Sequence, residues 1–332
     1  MITGSGAMMQ PELPPFRSTV ACPGPAVGRL IRGFAQVAAM LGALLCAAEA
    51  PAADLPEFRL GLAGGEAPEE AIAANECYRL RLETALGVPV RVVATPSYDG
   101  VVQGLLDGTV DMAWLGASAF AKIYLKDPTA VDVTLVKQTT EGSTGYFSFA
   151  FARKDSGIKT IADARGKVFA FGEPDSTSGY LVPEAELTET YGDLSKFFAA
   201  TPFSGGHEKT IVGVAQGQFD AGVSSGDGLG SWEQGFSSGA FRKAVDAGVV
   251  DMSKLAVLWQ SRMIPEGPLV IRRAVPPSVR DTVIPLTARL HETDRDCAYR
   301  VAGGKARDFV PTTVRAYKSV ITARRRQEEM SP

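Results

Sequence analysis

From Phe58 onward the chain alternates between short apolar, β-branched runs and longer segments punctuated like helices. The runs Phe58–Leu62, Val90–Ala94 and Val110–Trp114 predict strands. Between them, Pro68–Leu86 predicts a helix, with Pro in its first turn and Gly87 just past its end. Tyr98–Asp107 predicts another, stopped by Gly108, and Gly116 opens a third. The pattern resumes after Tyr146. Strands are predicted at Tyr146–Ala152, Val168–Phe171 and Phe219–Val223, with helices from about Tyr180 to Tyr191 and over His207–Gln216, the latter stopped by Gly217. Strands separated by helical segments imply an α/β chain of parallel sheets with helices on both faces.

Two stretches repeat at a constant offset of 109 residues: Tyr98 with His207, Gly104 with Gly213, Gly108 with Gly217, Asp111 with Asp220. Each reads as loop residue, helix, glycine stop, strand and small-residue loop. One reading is that any helix–glycine–strand unit looks this way; the other is two similar lobes. In two such lobes, Tyr98, His207 and the loops after the strands lie at the carboxyl ends of strands, where open α/β sheets take ligands.

The first 52 residues read differently. Arg29 and Arg32 precede an uncharged, mostly apolar run, Phe34–Ala48, of 15 residues, short for a bilayer span. Small residues follow, with Ala50-Pro51-Ala52 and then Ala48-Glu49-Ala50 as cleavage candidates. These are the parts of a secretory signal peptide, so export and loss of residues 1–52 are expected. Lipid attachment at Cys46 is the weaker reading, because Ala43-Leu44-Leu45 lacks a small residue just before the Cys. Cys77 and Cys297 remain after cleavage; an exported protein could pair them, but each is expected to be a free, semi-buried thiol.

Composition narrows the function. The chain has 332 residues, 45% hydrophobic, with a net charge of −3, which fits about two globular domains and argues against nucleic acid as a partner. Without the leader, 31 basic and 35 acidic residues give −4. Two histidines and four cysteines do not point to a metal or haem site, and no cofactor motif is present. The tail Arg324-Arg325-Arg326-Gln327-Glu328-Glu329 is expected to be a solvated helix end.

The segment Phe171-Gly172-Glu173-Pro174-Asp175-Ser176-Thr177-Ser178-Gly179 falls between a predicted strand and helix. Three consecutive hydroxyls supply rotatable donors, and the helix start behind them favours negative charge. Donors without a lysine suit binding and release of an oxyanion, and the other reading is a plain helix cap. A helix cap alone needs one such residue.

Asp175-Ser176-Thr177-Ser178-Gly179-Tyr180-Leu181-Val182-Pro183 resembles the signature of periplasmic phosphonate-binding proteins, the solute receptors of phosphonate ABC importers. Pro96-Ser97-Tyr98-Asp99-Gly100, Asp111-Met112-Ala113-Trp114-Leu115-Gly116, Gly145-Tyr146, Gly206-His207-Glu208 and Ile264-Pro265 follow the family's order, so the likeness runs from about Phe58 to Phe309. It implies a type II periplasmic-binding fold, two α/β lobes with an interlobe cleft and a two-strand hinge. Lobe 1 is then residues 53–145 and 260–332, and lobe 2 is residues 146–259. It further implies that Ser176, Thr177, Ser178 and His207 hold the oxyanion, with Tyr98 and Tyr146 lining the cleft. A His beside a dianion is favoured as the cation and donates a charge-assisted bond. Trp114 is read as core or cleft wall. The implied partners are a small phosphorus oxyanion and an inner-membrane ABC permease, and the implied location is the periplasm.

The family pattern breaks at one point. Members that take aminoalkyl phosphonates hold the ammonium with two acids. Asp227 stands in one position, but Gly267 occupies the other and Glu266 is its neighbour. Phosphite or a simple alkylphosphonate therefore becomes as plausible as an aminoalkyl ligand. Three other readings stay open: a receptor feeding a sensor, a cofactor-precursor enzyme on the same fold, and a serine hydrolase. The last rests on Gly222-Val223-Ser224-Ser225-Gly226, which matches a nucleophile elbow with Ser224 as nucleophile, though no strong helix follows and the only downstream His is His291.

Overall fold

The computed structural model describes residues 55–62, 68–95 and 97–330. The expected leader, with both cleavage candidates and Cys46, lies outside these residues. Two sheets organise the rest. The first has the order β11-β4-β10-β3-β1-β2, from β1 (Phe58–Leu62), β2 (Val90–Ala94), β3 (Met112–Trp114), β4 (Val131–Gln138), β10 (Pro268–Arg272) and β11 (Asp308–Pro311). The second has the order β6-β7-β5-β8, from β5 (Gly145–Arg153), β6 (Phe169–Ala170), β7 (Ala221–Gly226) and β8 (Leu255–Gln260). A short strand, β9 (Ile264–Pro265), pairs with the first two residues of β5.

The sheets are mixed rather than parallel. β1 lies parallel to β2 and β3, and β6 parallel to β7. β10 runs antiparallel to β3 and β4, and β5 antiparallel to β7 and β8. The reason is connectivity: β5 and β10 each enter their sheet from the other lobe, and so from the opposite end. The chain crosses between lobes twice, at 139–144 and again at 261–267, and the β5–β9 pairing ties the two crossings together.

Both faces of each sheet are covered, as the near-continuous apolar runs require. On the first sheet, Phe58, Leu60, Met112, Leu269 and Ile271 pack under α1 (Pro68–Leu86), α8 (Pro277–Ala288), α9 (Leu290–Thr293) and α10 (Arg295–Ala302). Ala113 and Val270 face α2 (Tyr98–Asp107), α3 (Ala117–Lys126) and α11 (Lys318–Met330) on the other side. The second sheet divides likewise. Phe169, Phe171 and Val223 pack toward α4 (Val182–Tyr191) and α5 (Leu194–Phe197). Phe149, Phe151 and Leu255 pack toward α6 (His207–Ala215) and α7 (Ala240–Asp246).

The 109-residue echo is present as geometry. α2 and α6 begin on Tyr98 and His207. After them come left-handed glycines, Gly108 at φ 90° and Gly217 at φ 81°, where a side chain would be strained. A Cβ on Gly104 would stand 2.7 Å from Val110, and one on Gly213 2.6 Å from the Phe219 ring, so both helices press on the residue leading into the next strand. Asp111 Oδ2 accepts from Arg59 N, and Asp220 Oδ2 from Val168 N, each at 2.9 Å.

The free-thiol expectation fails. Cys77 on α1 and Cys297 on α10 form a disulfide, with Cα atoms 5.9 Å apart across 220 residues of sequence. The contact is made by the packing of α1 on α10, which no local pattern reveals. The solvated-tail expectation also fails at Arg324, which is buried on α11 and bonds Asp175 Oδ1 at 2.6 Å and the Pro174 carbonyl at 3.0 Å.

Candidate ligand-binding site

The hydroxyl segment opens as a five-residue π-helical turn, Thr177–Leu181, that runs into α4. Ser176 caps it, its Oγ accepting from Gly179 N at 3.0 Å. The wider turn leaves Ser176, Thr177 and Ser178 buried on one wall of a cavity of about 240 Å³ between the lobes. Turns of this kind are rare and concentrate at functional sites. The capping reading thus holds at Ser176, whose hydroxyl caps the turn, while the row of hydroxyls lines the cavity.

All eight residues singled out from sequence line this cavity: Tyr98, Tyr146, Ser176, Thr177, Ser178, His207, Asp227 and Glu266. Two helices, α2 and α6, start at it with Tyr98 and His207. His207 is held on both ring nitrogens. Ser224 Oγ lies 3.2 Å from Nδ1, Ser176 Oγ 3.3 Å from Nε2, and Ser178 Oγ at a longer 3.5 Å. Tyr146 stands on β5 where the lobes cross. Burial drives its phenol well above the ordinary value, against a smaller opposing effect of Ser178 and Thr177, so it stays an O–H donor. Trp114 lines the cavity with its ring 5.1 Å from Phe309, a cleft wall as well as core.

Ser224 is not on a nucleophile elbow. It lies within β7, fully buried, and its hydroxyl meets His207, upstream in sequence. His291 sits elsewhere, 2.7 Å from Asp308.

The cavity also has a basic side that no sequence pattern marks, for two lysines line it, Lys137 and Lys243. Lys137 Nζ on β4 is 2.8 Å from Glu266 Oε1, and only about a tenth of either side chain is exposed. The approach is off the direction of a good hydrogen bond, and Glu266 Oε1 has no aligned donor. Glu266 therefore points into the cavity rather than out to solvent. Gly267 cannot carry an acid here, since a Cβ would stand 1.9 Å from the Leu115 carbonyl oxygen. Asp227 is buried, not solvated. Its Oδ1 accepts from Leu229 N at 3.0 Å and Ser237 N at 3.2 Å; its Oδ2 accepts from Ser237 Oγ and, at 2.9 Å, Ser238 Oγ.

The lobes meet on both sides of the cavity. At one lip Thr177 Oγ1 accepts from Ser118 N at 2.8 Å, Asp175 pairs with Lys122 and Arg324, and Glu173 Oε2 accepts from Tyr98 N at 3.1 Å. Burial raises the Glu173 carboxyl pKa, with the Tyr98 amide and Lys209 opposing. At the other lip Gly239 N donates to Gly303 O at 3.2 Å and Lys305 N to Ser237 O at 3.1 Å. Outside this lip a wider groove of about 640 Å³ shares Lys243, Val301 and Gly303 with the cavity. The hydroxyls and helix starts converge on the smaller space.

Two α/β lobes, a double crossing and a polar cavity between them define a type II periplasmic-binding protein. The chain itself, over residues 60–317, matches the family described as ABC transporter, phosphonate, periplasmic substrate-binding protein, and belongs to it. It is 29% identical over 256 residues to the phosphate-import protein PhnD of Mycolicibacterium smegmatis, covering 72% of this chain and 76% of that one. It is 30% identical over 207 residues to the phosphonates-binding periplasmic protein of Escherichia coli, covering 61% of this chain and 56% of that one. PhnD1 of Prochlorococcus marinus, solved with methylphosphonate, superposes with a TM-score of 0.70 at 18% identity, over 83% of this chain and 99% of that one.

Proposed function

We propose that this protein binds a phosphonate or a related small phosphorus oxyanion in the interlobe cavity and delivers it to an inner-membrane ABC permease. The observation that carries this reading is the convergence of three buried hydroxyls, two helix starts and His207 on one cavity. Such donors match the three oxygens of a tetrahedral phosphorus group. Ser224 would hold Nδ1 of His207 so that Nε2 faces the ligand. The ligand would bridge the lobes and favour the closed arrangement, because only that arrangement makes both sets of contacts. Export to the periplasm with loss of residues 1–52 completes the reading, and the Cys77–Cys297 disulfide suits an oxidising compartment.

Ser176→Ala/Thr177→Ala tests the site. Each charge-assisted bond contributes about 1.5–3 kcal/mol, so losing one weakens binding about tenfold to a hundredfold. Calorimetry with methylphosphonate is expected to show at least that loss for the double variant, with the circular dichroism spectrum unchanged. Unaltered affinity would place the oxyanion elsewhere.

A further inference from the structure

Two carboxylates, Asp227 and Glu266, line the cavity beyond the hydroxyl wall. On charge alone they would invite a cationic group on the ligand. Their partners argue otherwise. Asp227 has two donors on each oxygen, all from its own loop and the 237–238 segment, so its lone pairs are filled before any ligand enters. Glu266 faces the ammonium of Lys137 at 2.8 Å. Lys137 also donates to Ser238 Oγ at 3.2 Å, and Ser238 in turn donates to Asp227. One buried lysine from lobe 1 thus neutralises one acid directly and reaches the other through a hydroxyl of lobe 2. The neighbouring lining is apolar at Trp114, Phe309, Val301 and Ala302, and its one other charged side chain is a second cation, Lys243.

We propose that Lys137 determines the ligand class, reserving both acids of the cavity so that its far end takes an uncharged, apolar substituent and rejects an ammonium group. The inference rests on the phosphonate reading above. A ligand ammonium would have to displace Lys137 from Glu266 or share the space with it, and like charges brought together in a buried site repel strongly. An alkyl group meets no such opposition.

Calorimetry of the mature chain with n-propylphosphonate and 2-aminoethylphosphonate, which differ in CH₃ against NH₃⁺, tests this. The wild type is expected to bind the propyl compound at least tenfold more tightly. Lys137→Met, which keeps an unbranched side chain one atom shorter and removes its charge, is expected to shift that ratio toward the amino compound by at least tenfold, by freeing Glu266. Because this variant leaves a buried acid unpaired and could fail to fold, Glu266→Gln provides a second test. It frees Lys137 instead, and is expected to strengthen phosphonoacetate binding several-fold while weakening the amino compound further. A wild type that prefers the amino compound, or variants that change all ligands equally, would overturn the inference while leaving the phosphonate reading intact. Methylphosphonate, which engages only the oxyanion end, tells the two apart: its failure to bind would overturn both.

Discussion

Single residues divide according to whether their role is local. Ser176, Thr177, Ser178 and His207 are legible because a hydroxyl row before a helix, and a His opening one, are patterns written in adjacent positions. Lys137, Ser224 and Arg324 are not, since each acts on a residue that only the fold brings near. Ser224 meets His207 across the β7–α6 packing, and Arg324 reaches Asp175 from 149 positions away. Glu173 shows what burial does to one such residue. Its carboxyl is raised, chiefly by desolvation, while one oxygen accepts from Tyr98 N and the other has no partner. A carboxyl raised in the folded state binds its proton more tightly there than in the unfolded chain. It costs nothing at acid pH, and it subtracts stability as pH rises through the raised value. Glu173→Gln keeps an acceptor for Tyr98 and removes that cost. The melting temperature of the variant minus that of the wild type is therefore expected to become more positive from about pH 4 toward neutrality. A flat or falling difference would mean that the charged form is not disfavoured. Taking the difference matters, because carboxylates such as Asp107, Asp163 and Asp251, held low by hydrogen bonds, push wild-type stability the other way.

Among elements, the helices were the more legible, because glycines mark their ends. α1 and α2 run over Pro68–Leu86 and Tyr98–Asp107 as the glycine and proline positions predict. The π-helical turn at Thr177–Leu181 has no such marker, since it extends a helical pattern by widening it. β10 enters its sheet antiparallel for a reason of connectivity that periodicity does not carry. α11 shows an element whose role emerges only in place. Its Arg324 ties the hydroxyl loop to lobe 1, with Lys122 of α3 sharing Asp175. Breaking a buried pair usually costs about 3–5 kcal/mol. With Lys122 still present, Arg324→Met is expected to cost about 1–3 kcal/mol in urea unfolding, and to weaken methylphosphonate binding by loosening the loop that presents the hydroxyls. Full stability and full affinity would show that α11 is not a brace.

At the scale of the molecule, two sheets joined by paired crossings place every site residue on a loop or element end facing one cavity. The duplicated helix–glycine–strand unit was visible in sequence as spacing, and its physical content is the matched packing at Gly104 and Gly213. The disulfide was not visible, because two cysteines 220 residues apart have no sequence relation. It fastens α1 to α10 within lobe 1. Cys77→Ser/Cys297→Ser, or reduction of the wild type, is expected to lower stability by about 2–5 kcal/mol in urea unfolding. Insensitivity to reductant would mean that the bond is absent or carries no stability. Ligand affinity should be nearly unchanged, since neither cysteine lines the cavity.

The ligand proposed for the interlobe cavity is a small phosphorus oxyanion. Calorimetric titration of residues 53–332 with phosphite, phosphate and methylphosphonate tests it most directly. One saturable site per chain is expected for at least one of them, with a matching rise in melting temperature. No heat and no thermal shift with any of the three would contradict it.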